Sequence, residues 1–228
     1  MYTDDRLIIL DADGTTIDAF AAIDRTFAHH GMDIGPLSRF QKRRNLFKYL
    51  GGLKELPRNL RKQFSRAKRS RLVETLTEIY RDEAVLYEGI EPLLWRLTDE
   101  PELRVGIVTR NITREPLETI QRLFRRVGFD PERFDFLEHL PLGQDKLSTF
   151  RALRSRFGVN PARAFACGDE ARDYVAALSS GMHPFIVSYG FEDYDRLTQK
   201  HGVPAELISR TPTELAHRVL HGLGLHQP

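Results

Sequence analysis

The chain has 228 residues, 41% of them hydrophobic and 29% charged, with a formal net charge of +2. That suffices for one good-sized domain, or a domain carrying an insertion, and the small charge gives no reason by itself to expect a nucleic-acid partner. The single cysteine, Cys167, rules out an internal disulfide and suits a reducing compartment, so the expected location is cytoplasmic. No apolar run approaches the roughly 20 residues that span a bilayer. The acidic start, Met1–Asp5, leaves no room for a signal peptide before the first strand.

That strand is Leu7-Ile8-Ile9-Leu10, and it runs straight into Asp11-Ala12-Asp13-Gly14-Thr15-Thr16. An unbroken apolar run of this length reads as a strand buried on both faces, inside a parallel sheet. Ligands of open α/β sheets bind at the carboxyl ends of strands, where Asp11 and Asp13 stand. Gly14 lets the chain turn sharply. Two carboxylates this close raise each other's proton affinity unless a cation joins them, and Mg²⁺ is a hard cation that prefers oxygen ligands. One aspartate can then attack phosphorus while the other handles protons. Taken alone, the stretch is equally well read as an Asp-Gly turn.

Ile17–His30 carries apolar residues at helical spacing, with Gly31 as its stop. From Leu37 to Ala84 the character changes. Gln41-Lys42-Arg43-Arg44 opens a basic segment that continues through Arg58, Arg61, Lys62, Arg66, Lys68, Arg69 and Arg71. Gly51-Gly52 breaks it, and Pro57 can start a long helix whose partial apolar face runs from Leu60 and Phe64 to Leu72, Leu76, Ile79 and Tyr80. Residues 18–86 therefore read as an inserted all-α cap, with Tyr87-Glu88-Gly89 as the return hinge. Residues 1–17 and 87–228 form the core domain.

From Ile90 on, the pattern is regular. A helix starts at Pro92, and Leu103–Thr109 is a strand. A helix follows over Thr113–Val127, stopped by Gly128, then a short strand over Phe134–Leu137. Asp145 caps a helix reaching Phe157, Ala164–Cys167 is a strand and Glu170–Ser180 a helix. Pro184–Ser188 is a strand, Thr213–Leu220 closes the fold, and the tail from Gly222 is expected to fray. Such alternation predicts an α/β fold, a Rossmann-like parallel sheet with helices on both faces.

Three later sites complete the first. Thr109 ends a strand, where a hydroxyl and free N–H groups suit a phosphate. Arg110 and Asn111 follow it, on what reads as an exposed loop from which either could touch a substrate. Lys146 opens a helix, a poor place for a cation unless it faces phosphate and carboxylates. Phe165-Ala166-Cys167 leads into Gly168-Asp169-Glu170-Ala171-Arg172-Asp173, which puts Asp169 at a strand end and Asp173 one helical turn further on. Read singly, these are an N-cap, a surface lysine and a helix cap, with Glu170 in solvent and Cys167 a small buried residue. The eight histidines show no ligand spacing.

The Asp-x-Asp-Gly-Thr stretch, a strand-end Thr, a helix-start Lys and Gly-Asp-x-x-x-Asp, in this order, resemble the four motifs of the haloacid dehalogenase superfamily. The likeness covers nearly the whole chain except the cap, and Thr16 departs from it where many relatives carry leucine. It implies Asp11 as nucleophile, Asp13 as general acid/base and Lys146 as charge neutraliser. It also implies Thr109 at the phosphoryl group, and Gly14 and Arg110 are the further candidates for contact with the substrate. Mg²⁺ would be held by Asp11, the backbone carbonyl of Asp13 and Asp169, with Asp173 assisting. The second carboxylate points away from dehalogenation. The expected activity is phosphomonoester hydrolysis on a small phosphorylated metabolite, with a phosphoglycolate-phosphatase-like or nucleotidase-like role open. A sugar-phosphate mutase uses the same two aspartates and is the alternative, and a catalytically idle binding protein is another. A nucleic-acid binder using the basic cap has the near-neutral charge and the lack of a binding motif against it.

Overall fold

The computed structural model describes residues 2–42 and 66–225. β1 (Arg6–Leu10) lies at the centre of the sheet, and its apolar run is buried on both sides. Ile8 and Leu10 belong to one hydrophobic cluster, and Leu7 and Ile9 to another. This is what alternating side chains do in a strand covered on both faces. β2 (Leu103–Thr109) pairs with one edge of β1 and β4 (Ala164–Gly168) with the other. β3 (Phe136–His139), β5 (His183–Val187) and β6 (Ile208–Ser209) complete a six-stranded sheet in the order β3-β2-β1-β4-β5-β6, and every pairing is parallel. The order reverses beside β1. Its carboxyl end is therefore the switch point of a doubly wound sheet, where strand ends diverge and leave a crevice.

The helices follow the expected pattern with shifts that have local causes. α1 (Ala19–His29) begins two residues later than the apolar spacing predicts. Asp18 caps it by accepting from the Ala21 N–H at 3.0 Å, and Ile17 is diverted into backbone pairing with Asp13 and Leu86. Among the described residues, α2 (Leu37–Lys42) is followed by α3 (Arg66–Asp82). Arg43, Arg44, Gly51-Gly52, Pro57, Arg58, Leu60, Arg61, Lys62 and Phe64 lie outside the described residues. Leu72, Leu76, Ile79 and Tyr80 of α3 are buried in the same cluster as α1, Ile8 and Leu10. Arg71, by contrast, is exposed.

α4 (Ile90–Thr98) starts two residues ahead of Pro92, because Gly89 takes a left-handed conformation before it. α5 (Pro116–Arg126) starts three residues later than Thr113. The Thr113 N–H and hydroxyl are both drawn to the Asn111 side chain, and Pro116 then supplies the first helical position. β3 is displaced two residues from Phe134 by a 3₁₀ turn at Pro131–Arg133. α6 (Leu147–Arg156) and α7 (Ala171–Ser179) cover the second face of the sheet, and α8 (Pro212–Gly222) closes the first. The sequence gives no signal for the π-helical turn at Arg196–Lys200 or for the two-residue β6. The chain past Gly222 does not fray at once, since Leu223 and Leu225 are buried.

Cys167 is buried in β4 between β1 and β5, and burial pushes its thiol well up. A reactive cysteine needs exposure and a stabilised thiolate. Native protein should therefore react with an aromatic disulfide reagent only as fast as it unfolds. Rapid stoichiometric labelling in buffer would contradict that.

Candidate active site

The ends of β1, β2 and β4 and the start of α6 bring the four motifs to one place. Asp11 stands one residue beyond β1, 6% exposed. Its Oδ1 accepts from the Ala12 N–H at 2.9 Å and its Oδ2 meets Lys146 Nζ at 2.7 Å. Burial pushes the Asp11 carboxyl up to about 6 even against the Lys146 ammonium. Burial acts against the Lys146 charge as well, yet Asp11 and Asp173 outweigh it and hold the ammonium above its ordinary range. The short contact and the strengthened ammonium both mark Asp11 as a carboxylate at neutral pH.

Asp13 has a different environment. Tyr80 Oη donates to Asp13 Oδ1 at 2.6 Å, Asn111 Nδ2 donates to the same oxygen at 2.9 Å, and Thr109 Oγ1 donates to Oδ2 at 3.1 Å. Burial raises the Asp13 carboxyl above its usual range, and the three hydrogen bonds oppose the rise. Thr109 is fully buried, and its Oγ1 also accepts from the Asn111 N–H at 3.0 Å. Thr16 is accommodated locally, since its hydroxyl donates to the backbone oxygens of Asp11 and Ala12.

The fourth motif supplies the remaining acids. Asp169 is fully buried. Its Oδ2 accepts from the Phe191 N–H at 2.6 Å, and its Oδ1 has no hydrogen-bond partner among the described residues. Burial, then the charges of Glu170, Asp11 and Asp173, push its carboxyl well up. The cradle is shaped by glycine. Gly14 adopts φ +81°, and a Cβ at Gly14 or at Gly190 would overlap the Asp169 carboxylate. Asp173 Oδ1 meets Lys146 Nζ at 3.0 Å, and its Oδ2 accepts from the Glu170 N–H at 3.1 Å as half of a capping box. Burial works against the Asp173 charge, but Lys146 and Arg110 outweigh it and hold the carboxyl below its usual range. Ligand oxygens of Asp11, Asp169 and Asp173 lie within 4.8 Å of one another.

Two residues read as exposed are inside. Arg110 is 6% exposed and its Nη2 pairs with Glu170 Oε2 at 3.0 Å and Asp173 Oδ1 at 3.5 Å. Glu170 is 5% exposed, held between Arg110 and Arg172 rather than in solvent. Their burial depends on their pairing, which no local pattern reveals. The sequence gives Tyr80 to a helix face and lets Asn111 touch a substrate from a loop, and in the structure both hold Asp13 instead. The one faint signal for Asn111 is its place two residues past Thr109. A cavity of about 480 Å³ opens beside the cluster and is lined by Arg110, Gln144, Lys146, Arg172, Asp173 and His201.

An open parallel sheet with buried carboxylates and a lysine at its switch point defines a class of α/β enzyme, and the comparisons specify it. A family model described as haloacid dehalogenase-like hydrolase matches residues 6–181. The chain belongs to that family. No curated protein matches it. Among solved structures, it is similar to a predicted phosphoglycolate phosphatase from Haemophilus somnus, with 18% identity, 95% of this chain and 99% of that one covered, and a TM-score of 0.66. It is also similar to CbbY from Rhodobacter sphaeroides, solved with phosphate, with 19% identity, 97% and 100% covered, and a TM-score of 0.64. A Thermotoga maritima protein provisionally named a β-phosphoglucomutase gives 18% identity, 95% and 99% covered, and a TM-score of 0.63. These likenesses concern the fold. No helix among the described residues is long and apolar enough to cross a membrane.

Proposed function

We propose that this hydrolase is a Mg²⁺-dependent phosphomonoesterase acting on a small phosphorylated metabolite through an aspartyl-phosphate on Asp11. Residues 1–17 and 87–228 would form the catalytic core and 18–86 the helical cap. The observation that carries the reading is the unlike treatment of the two strand-end carboxylates. Asp11 is paired with an ammonium, whereas Asp13 is held by neutral donors. Two carboxylates in unlike environments take unlike roles. Asp11 is suited to attack phosphorus as an ionised nucleophile. Asp13 is suited to protonate the departing alcohol and then to take a proton from the water that cleaves the acyl phosphate.

Lys146, with Gly14 keeping the turn open, would face the position where phosphoryl charge develops, and Thr109, whose hydroxyl donates to Asp13, would border it. Arg110 would act mainly through Asp173, which it helps to hold. The donor set suits Mg²⁺: all oxygen, buried, and including one carboxylate oxygen, Asp169 Oδ1, with no other partner among the described residues. Asp11, Asp169 and the Asp13 carbonyl would hold the ion, with Asp173 orienting the set. Bound there, it would neutralise charge on the phosphoryl oxygens. Cysteine usage fits a cytoplasmic setting.

The test is phosphate release from a panel of phosphomonoesters with Mg²⁺ and with chelator. Release that requires the ion supports the reading. Isomerisation of a sugar phosphate without net release would instead support a mutase. Absence of both at single turnover would overturn the proposal.

The carboxylates also set a linkage. In the ion-free protein Asp11 has a raised pKa, so the folded state holds a proton between about 4 and 6 that the unfolded chain has released. Ion-free stability should therefore fall as pH rises through that window, and Asp169, whose carboxyl is also raised, adds to the fall. A cation competes with those protons. Millimolar Mg²⁺ should raise the melting temperature more at pH 8 than at pH 5. An equal shift at both, or none, would contradict the assignment of these carboxylates to the ion.

A further inference from the structure

Asp13 is held from two directions. Thr109 and Asn111 come from the end of β2, and Tyr80 from α3, which is inserted between β1 and β2. The orientation of the Asn111 amide is not arbitrary. Its Oδ1 accepts from the Thr113 N–H at 2.8 Å, so its Nδ2 must face Asp13. Asp13 Oδ1 therefore receives two donors, Tyr80 and Asn111, and Oδ2 receives one, Thr109. A carboxylate oxygen has two acceptor positions. Among the described residues, Oδ1 is full and the one open position is on Oδ2.

We propose that Tyr80 is a positioning residue for the proton transfer: with Asn111 it saturates Oδ1 and fixes the carboxylate so that Oδ2 faces the leaving group. The inference rests on the phosphatase reading above. As the bond from Asp11 to phosphorus forms and the ester P–O bond breaks, the proton on Asp13 Oδ2 passes to the departing alkoxide, which leaves as the alcohol.

Tyr80 is placed to do this by the core. α3 is anchored on α5 and the loop before it. Arg81 pairs with Glu115 at 2.8 Å and bonds Thr119 at 3.1 Å. Thr77 Oγ1 accepts from the Arg114 N–H at 2.9 Å, Arg122 pairs with Asp82 at 2.7 Å, and Arg126 bonds the Ala84 carbonyl. Singly such surface pairs are weak. Together with buried Leu72, Leu76 and Ile79 they fix the register of the helix, and so the reach of the phenol.

Tyr80→Phe keeps the ring and removes the donor. The readout is kcat/KM for two classes of ester, because this constant covers the steps through the first bond cleavage. p-Nitrophenyl phosphate has a leaving group that departs without a proton, and an alkyl phosphomonoester such as 2-phosphoglycolate or glycerol phosphate does not. For Tyr80→Phe, kcat/KM on the best alkyl ester of the panel should fall about 10²-fold, as a misplaced catalytic group implies. On p-nitrophenyl phosphate it should stay within about 2-fold. In an Asp13→Asn background, Tyr80→Phe should add no further loss, because it acts through Asp13.

A hydroxyl that only satisfies burial would lower the melting temperature and leave the two esters equally affected. That result, or full activity on both, would overturn the inference and leave the phosphatase reading standing. Wild-type protein inactive on both classes would remove the phosphatase reading, and this one with it.

Discussion

Asp11→Asn should abolish phosphate release, with a loss of about 10⁴-fold or more, as removal of a covalent nucleophile implies. The amide is isosteric but cannot form the acyl phosphate. The same change should leave the ion-free fold intact or slightly more stable. It removes one of several buried acids whose burial works against ionisation, and Lys146 keeps Asp173 as a partner. Activity and stability moving in opposite directions is the signature of a group kept for chemistry at a cost to the fold. The check is kcat beside a melting curve in chelator. Retained turnover would remove Asp11 as nucleophile, and a large drop in melting temperature would recast it as structural.

Lys146→Met should have the largest effect on stability. The ammonium is 2% exposed and contacts both Asp11 and Asp173. Removing one partner of a buried ion pair costs about 3–5 kcal/mol, because the charge left behind is uncompensated. For a chain of this size each kcal/mol shifts the melting temperature by about 2–4 °C. A fall of about 6–20 °C is expected near neutral pH. The sign of the pH dependence follows from the carboxylates. Without the ammonium, Asp11 binds its proton still more tightly in the folded state. The penalty should therefore shrink as pH falls toward 5, where protonation replaces the lost partner. A penalty independent of pH would mean that Lys146 matters for packing alone.

Much of this site could be read from the chain because its parts are punctuated locally. A strand that ends in carboxylates shows as an apolar run meeting Asp11 and Asp13, and the same holds for Cys167-Gly168-Asp169. Lys146, read singly as a surface lysine, is picked out by the resemblance together with the awkward place of a cation at a helix start. The parallel sheet followed from alternation alone. What could not be read depends on partners far along the chain. Tyr80 sits at helical spacing with Leu72, Leu76 and Ile79, so it looks like one more core residue, and only the fold shows its hydroxyl against Asp13. Arg110 and Glu170 are charged and therefore look exposed, yet each is the reason the other can be buried. Thr113 looks like a helix start until Asn111 takes its N–H and hydroxyl. The two residues of β6 are too few to show a period.

The central claim is that Asp11 carries the phosphoryl group, and chemical trapping tests it most directly. Enzyme quenched during turnover with a phosphomonoester and Mg²⁺, then reduced with borohydride and digested, should yield homoserine in place of aspartate at position 11, because an acyl phosphate is reduced and a free carboxylate is not. With p-nitrophenyl phosphate, whose first step needs no proton, Asp13→Asn is slowed in the water-activation step and should yield more of it. Turnover with unmodified Asp11 in both proteins, or homoserine at another aspartate, would contradict the mechanism proposed for this site.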